Sequence, residues 1–77
     1  MNALPVIDMV ATGQNIAALR ESAGYSVRKL QAVMGFSTPQ AIYKWQRGQS
    51  MPSIDNLAAL AAVLGVKLDD IIIYQTV

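Results

Sequence analysis

The chain has 77 residues, of which 53% are hydrophobic, and a formal net charge of +1 at pH 7. This length allows one domain with a small core, and the hydrophobic content excludes a disordered tail. No stretch approaches the roughly 20 apolar residues of a membrane span, so no membrane role is expected. The absence of cysteine excludes a disulfide framework and, with an N-terminus unlike a signal peptide, makes the cytoplasm the expected location.

The inventory of reactive side chains argues against an enzyme. Histidine and cysteine are absent, which removes the common transition-metal ligands and two of the usual bases and nucleophiles. The five carboxylates are scattered except for Asp69 and Asp70, which we expect to begin a short helix rather than to bind a metal. No glycine-rich phosphate loop is present, so neither a catalytic site nor a cofactor is expected.

The N-terminal part of the chain predicts an extended lead-in followed by a helix. Residues 1–11 lack a helical rhythm, and Pro5 favours extended backbone there. A helix is predicted over about residues 13–23, with Thr12 as its cap. Its apolar face consists of Ile16, Leu19 and Ala23.

Two short helices are predicted next, over about residues 27–34 and 39–47, joined by a turn at Gly35. The candidate caps are Ser26 for the first of them and Ser37 or Thr38 for the second. The apolar positions are Val27, Leu30, Val33 and Met34 in the first helix and Ile42 and Trp45 in the second.

Charge is distributed unevenly along the chain. Residues 22–50 contain four cations and no acid, whereas residues 1–21 and 51–77 carry net charges of −1 and −2. The four cations are Arg28, Lys29, Lys44 and Arg47. Because phosphate contacts reward such clustering, this helix pair is a candidate for contact with the major groove of double-stranded DNA. Four charges alone would also fit an ordinary solvated face.

A fourth helix is predicted after Ser53, which can cap it, and it ends at Gly65. Its predicted buried stripe consists of Ile54, Leu57, Ala58, Ala61 and Leu64. Residues 66–72 suggest a helix of one or two turns. Residues 73–77 are rich in β-formers, and we expect them to pair with residues 6–9, within one chain or across a dimer.

A series of motifs covers about four fifths of the chain. They are Ile16, Leu19 and Arg20, then Ser26 and Leu30, then residues 35–37 (Gly-Phe-Ser), 42–48 (Ile-Tyr-Lys-Trp-Gln-Arg-Gly), 52–57 (Pro-Ser-Ile-Asp-Asn-Leu), 64–66 (Leu-Gly-Val) and 68–72 (Leu-Asp-Asp-Ile-Ile). Together they resemble the lambda-repressor-like, Cro/C1-type helix-turn-helix family, also called the XRE family. The resemblance implies an all-α, compact domain of four or five helices over residues 12–72, flanked by extended segments at 1–11 and 73–77.

The resemblance also implies roles for individual residues. In this family the second helix lies across the DNA backbone, and the third enters the major groove and reads bases near its start. The base-reading positions fall on Thr38, Pro39, Gln40 and Lys44. The backbone-binding positions fall on Ser26, Arg28, Tyr43, Arg47 and Gln49. Gln40 is the strongest base reader because a side-chain amide can hold N7 and N6 of adenine together. Tyr43 could bind a phosphate or simply cover the core.

The chain departs from the family pattern in four places. Val27 stands where members often have a glutamine that contacts DNA. Pro39, at the first reading position, offers only apolar contact. The turn after Gly35 is one residue longer than the common form. Arg20 is expected to meet Gln46, where the family usually has a glutamate.

The implied function is a sequence-specific DNA-binding transcriptional regulator, specifically a repressor. A homodimer is expected because one recognition helix covers too few base pairs for selectivity in a genome. The alternative is a protein-interaction module with the same fold, such as an antitoxin that neutralises a toxin. Val27, Pro39 and the apolar residues 71–74 favour this alternative.

Overall fold

Five helices and a pair of short strands form the fold in a computed structural model that describes residues 3–76. In chain order the elements are β1 (Pro5–Ile7), α1 (Met9–Ser22), α2 (Val27–Met34), α3 (Gln40–Gln46), α4 (Ile54–Leu64), α5 (Leu68–Ile71) and β2 (Tyr74–Thr76). The predicted all-α class with four or five helices is confirmed. Residues 1, 2 and 77, at the ends of the predicted flanking segments, lie outside the described residues. No helix between residues 3 and 76 has the length and apolar character needed to cross a bilayer.

Two of the predicted helix caps are present. The Oγ of Ser26 accepts a hydrogen bond from the Lys29 N–H (3.0 Å), and the Oγ of Ser53 accepts one from the Asn56 N–H (3.1 Å). Each bond satisfies an amide that has no partner inside its own helix. Gly35 ends α2 with a φ of 75°, the left-handed conformation that glycine adopts without steric cost. The boundaries of α2 therefore follow from local sequence.

The helix α1 begins earlier than the sequence predicts. Its cap is Asp8, whose Oδ1 accepts from the Ala11 N–H at 2.9 Å, so the predicted extended backbone over residues 9–11 is wrong. Thr12, the predicted cap, lies inside the helix with a relative exposure of 1%. Its hydroxyl accepts from the Ile73 N–H (2.9 Å) and donates to the Ile73 carbonyl (3.1 Å). The helix extends to Asp8 because a carboxylate there satisfies a first-turn amide, while Thr12 is occupied by a distant part of the chain.

The helix α3 is one residue shorter at each end than the predicted range 39–47. Pro39 occupies the cap position, and no side chain caps the helix there, so capping by Ser37 or Thr38 is not observed. The Thr38 hydroxyl accepts only a long hydrogen bond of 3.4 Å from the Gln40 N–H. Proline loses nothing at this end because the first amides of a helix have no internal partner.

The core draws at least one buried side chain from each helix. Its members are Ile16, Leu30, Ile42, Trp45, Leu57, Leu60, Ala61, Leu64 and Ile71, with Leu19 partly buried against them. Phe36 packs its ring edge-on to Trp45, with ring centroids 5.8 Å apart. This contact packs the turn after α2 against the buried indole of α3.

Some residues of the predicted apolar faces are exposed. In α4 the buried stripe is Leu57, Leu60, Ala61 and Leu64, a complete i, i+3, i+4, i+7 pattern. Ile54 is 77% exposed because it lies one turn before this stripe begins, and Ala58 lies off the stripe. Val33 in α2 and Ala23 after α1 are also exposed. The sequence therefore predicted more buried residues on these helices than the structure contains.

The C-terminal segment returns to the N-terminal one. The helix α5 has a single turn within residues 66–72, which agrees with the predicted one or two turns, and Asp70 Oδ2 accepts from the Lys67 N–H at its start (2.9 Å). The strand β2 then pairs antiparallel with β1, with Ile7 opposite Tyr74. The predicted pairing of the two ends is confirmed, and it occurs within one chain.

Candidate nucleic-acid interface

The apolar side chains of α3 pack into the core and fix the position of the helix. Ile42 and Trp45 are 0% and 3% exposed, and Leu30 of α2 is fully buried in the same cluster. Burying side chains of this size stabilises the helix position by about 1.5–3 kcal/mol each. The face of α3 that carries Gln40, Tyr43 and Lys44 is therefore presented to solvent in a defined orientation.

The backbones of α1 and α3 approach each other very closely. A Cβ at Gly13 would overlap the carbonyl oxygen of Trp45 and lie 2.8 Å from that of Gln46. Just after α3, a Cβ at Gly48 would lie 2.8 Å from the Cα of Val10. Glycine at both places lets the end of α3 rest directly on α1.

A partly buried arginine stabilises the same contact. The Nε of Arg20 donates to Oε1 of Gln46 at 3.0 Å, as the sequence predicts, and its Nη1 donates to the Tyr25 carbonyl at 2.7 Å. The Arg20 side chain is 12% exposed. One guanidinium thus ties α1 both to the last residue of α3 and to the start of the helix-turn-helix segment.

The exposed side of α3 forms an open groove of about 330 Å³. The groove is lined by Gln40, Tyr43, Lys44, Arg47 and Gln49. The Arg47 guanidinium lies over the Tyr43 ring, 5.8 Å from its centroid, within the range of a cation–π contact. Amide, ammonium and guanidinium donors therefore converge on one surface.

A second open groove, of about 450 Å³, runs between α2 and α3. It is lined by Val27, Arg28, Gln31, Ala32, Pro39 and Tyr43. Tyr43 lies between the two grooves and belongs to both. The two grooves meet at Tyr43 and form one surface across the helix-turn-helix pair, in which polar and cationic groups lie among apolar ones.

The structure brings together most of the predicted site residues. Two of them, Ser26 and Thr38, line neither groove, although both are exposed. Gln31 lines the second groove beside Arg28 and was missed from the sequence. Its position three residues after Arg28, on the same helical face, was the available signal.

The electrostatics of this surface are simple. The part of the chain that the structure describes has one ion pair, between Nη2 of Arg20 and Oε1 of Glu21 at 3.4 Å. Arg28, Lys44 and Arg47 are exposed and have no carboxylate partner within residues 3–76. The same described residues contain no cluster of potential metal ligands. An unpaired cationic surface of this kind can bind an anion such as the phosphate backbone.

These features define a helix-turn-helix domain of the DNA-binding type, and comparison with known proteins gives the family. A sequence model of the helix-turn-helix family matches residues 16–71, and the chain belongs to that family. It is a family of DNA-binding regulators and not of enzymes. The comparison with curated protein sequences gives no match.

Solved structures of two regulators are among those that resemble the fold. The restriction-modification controller protein C.AhdI from Aeromonas hydrophila has 28% sequence identity and a TM-score of 0.74, over 83% of this chain and 96% of that one. The clp gene regulator ClgR from C. glutamicum has 24% identity and a TM-score of 0.71, over 82% of this chain and 80% of that one. The second likeness concerns the fold alone.

Proposed function

We propose that the protein is a sequence-specific transcriptional repressor that binds double-stranded DNA in the cytoplasm as a homodimer. The observation that carries this proposal is the groove on α3, where polar and cationic side chains are exposed and unpaired by any described carboxylate. Repression requires only occupancy, because a bound domain excludes other proteins from the same base pairs. Similarity to a restriction-modification controller protein supports a regulatory role.

In this proposal α3 lies in the major groove. The base-reading residues are Thr38, Pro39, Gln40 and Lys44. The residues that contact the DNA backbone are Ser26, Arg28, Tyr43, Arg47 and Gln49. Gln40 and Lys44 occupy one groove, so a single approach of α3 to DNA would bring both side chains to the base edges. The contact between Tyr43 and Arg47 would orient the guanidinium toward a phosphate.

Two copies are proposed because of the geometry of the DNA. Half-sites read by such domains lie about 34 Å apart on one side of the duplex. A two-fold symmetric protein can contact both half-sites, and the combined contacts supply a selectivity that one helix lacks.

Selection of bound duplexes from a random DNA pool tests the proposal as a whole. We expect a two-fold symmetric consensus, and binding that weakens as salt concentration rises. If no duplex is enriched and no salt-dependent binding is found, the proposed function is wrong.

Lys44→Ala tests the reading helix. We expect it to weaken binding to the selected duplex by about 1–3 kcal/mol if Lys44 reads a base. Lys67→Ala is the matched control, since Lys67 is an exposed lysine outside both grooves. An equal loss on selected and random duplexes would instead place Lys44 on a phosphate.

A protein-interaction module such as an antitoxin is the second candidate. It is favoured by exposed apolar side chains away from α3, such as Val6 (56%), Ile54 (77%) and Tyr74 (59%). A protein partner that co-purifies, together with duplex binding that Gln40→Ala leaves unchanged, would support this candidate over the first.

A further inference from the structure

We propose that β2 is a self-association edge, at which Tyr74–Thr76 of one molecule pairs antiparallel with the same segment of a second molecule. The product is a four-stranded sheet whose two-fold axis passes beside Gln75. This inference rests on the two-copy arrangement of the proposed function and names the surface that produces it.

The direction of the backbone groups in β2 follows from one hydrogen bond. The Asp8 N–H donates to the Ile73 carbonyl at 2.9 Å, in register with the β1–β2 pairing. In an antiparallel ladder every second residue of a strand faces its partner. Gln75 is therefore the next residue of β2 that faces β1, and the N–H and C=O groups of Tyr74 and Thr76 face outward.

The two edges of the sheet are not equivalent. By the same alternation, the backbone groups of Pro5 and Ile7 face the outer edge of β1. Proline has no N–H to donate to a further strand. The outer edge of β2 carries a donor and an acceptor at both of its positions. A further strand is therefore accommodated better beside β2 than beside β1.

The composition of the edge favours a second copy of this chain as the partner. Near a two-fold axis each side chain meets its own copy, so any charge there would be repelled by itself. Residues 74–76 of β2 carry no charged side chain, and the Asp8 carboxylate that accepts from the Gln75 side chain belongs to the cap of α1 and not to this edge. Proteins usually place charges on a sheet edge that must stay unpaired, and this edge lacks that protection.

The strands also leave apolar surface uncovered. Leu4, Val6, Ile7 and Tyr74 are between 50% and 78% exposed. Ile7 also lines an apolar cleft of about 120 Å³ together with Met51, Pro52 and Ile54, so the uncovered surface continues to the start of α4. A sheet of two short strands is marginal in water, whereas four strands bury each other's edges.

The pairing has a defined register. With Gln75 opposite its own copy, Tyr74 of each molecule lies opposite Thr76 of the other, and each such pair exchanges two backbone hydrogen bonds. The Gln75 side chain also donates to Asp8 Oδ2 within its own chain at 3.2 Å. A lysine at position 75 would place two like charges across the axis.

Disulfide trapping tests the register directly. The chain has no cysteine, so Gln75→Cys introduces a single thiol. Residues opposite each other in a non-hydrogen-bonded antiparallel pair have Cα atoms about 4.5 Å apart, which is within the range of a disulfide. We expect Gln75→Cys to form a covalent dimer under mild oxidation. The control Gln14→Cys, exposed on α1, should cross-link only by slow collision.

Sedimentation equilibrium tests the edge itself. We expect a dimer of the wild-type chain, with a dissociation constant raised by about tenfold or more in Thr76→Pro and in Gln75→Lys. Thr76→Pro removes an outward N–H and no bond to β1, so its helical circular dichroism should match that of the wild type. Gln14→Lys, the same change on α1, should dimerise normally.

The inference is overturned if the wild type stays monomeric at concentrations up to about 1 mM. This holds also if the monomer binds a different protein at this edge. It is also overturned if Gln75→Cys cross-links no faster than Gln14→Cys. If the protein is a monomer that still binds duplex DNA, self-association through β2 is wrong but the proposed DNA binding stands. If the protein dimerises through β2 but binds no DNA, the proposed DNA binding is wrong and self-association through β2 stands.

Discussion

Arg20 shows how one side chain can organise the interface without touching a ligand. Its guanidinium is largely buried and donates to the Gln46 side chain at 3.0 Å and the Tyr25 carbonyl at 2.7 Å. The sequence predicted the partner Gln46, since both positions match the family pattern. The bond to Tyr25 was not predictable, because a backbone carbonyl leaves no signal in the choice of amino acid.

Replacing Gln46 by glutamate tests this contact. We expect Gln46→Glu to be tolerated and to change the free energy of unfolding by less than about 1 kcal/mol, because an ion pair would take the place of a hydrogen bond to a neutral amide. Gln46→Ala, which leaves the guanidinium short of an acceptor, should cost about 1–3 kcal/mol. Urea unfolding of the two variants measures both changes in free energy. A marked loss of stability in Gln46→Glu would show that the two side chains do not meet in solution.

Tyr43 illustrates what sequence left open at the residue scale. Sequence reasoning allowed either a phosphate contact or a cover for the core. In the structure Tyr43 is 41% exposed, lies between the two grooves and stacks with Arg47. It is thus a surface residue, and its contact with phosphate stays a prediction.

At the scale of elements, the close approach of α1 and α3 is the feature that sequence hid most completely. Gly13 lies in the interior of α1, where glycine weakens a helix by roughly 1 kcal/mol relative to alanine. Its place is explained only by the carbonyl oxygens of Trp45 and Gln46 beside it. A helix pattern cannot show which residue faces another helix at backbone distance.

Gly13→Ala tests this packing. Despite the better helix propensity of alanine, we expect a loss of about 1–3 kcal/mol in the free energy of unfolding, because the added methyl group would force the helices apart. Gln14→Ala, at the neighbouring exposed position, should be neutral or slightly stabilising. Thermal and urea unfolding of both variants provide the measurement. If Gly13→Ala is as stable as the wild type, α1 and α3 are farther apart than the structure shows.

Other elements were predicted well because their signals are local. The caps Ser26 and Ser53 and the left-handed Gly35 and Gly65 act on amides and carbonyls within one helical turn, so their effect is readable from neighbouring residues. The start of α1 was missed because two residues, Asp8 and Thr12, have cap-forming side chains. Only the position of Ile73 decides that Thr12 is not the cap.

At the scale of the whole molecule, the two ends of the chain close against each other. Four groups from α1 or its cap bind the C-terminal segment, and one of them is the Asp8 carboxylate, whose Oδ2 accepts from the Gln75 side chain at 3.2 Å. Thr12 and the Asp8 N–H bind Ile73, and the Asn15 amide donates to the carbonyls of Asp70 (2.7 Å) and Ile71 (3.0 Å). These bonds hold β2 beside β1 at one end of α1. The same helix contacts α3, so closure of the ends supports the helix that carries the proposed reading surface.

Thr12→Val tests this closure. The substitution keeps the shape of the side chain but leaves the Ile73 amide, which the hydroxyl binds at 2.9 Å, without its partner. We expect a loss of about 1–3 kcal/mol in stability and faster hydrogen exchange at residues 73 and 75. Thr38→Val, at an exposed threonine, is the control. Unchanged exchange at the C-terminus would show that the hydroxyl does not hold the strand.

The order of the helices, the caps Ser26 and Ser53 and the grouping of cations on α2 and α3 were readable from the chain, because they depend on neighbours within a turn or on composition. The depth of each apolar face, the glycine contact between α1 and α3, and the grouping of side chains into two grooves were settled by packing. Those features depend on residues far apart in the chain, such as Thr12 and Ile73, whose meeting no local pattern records.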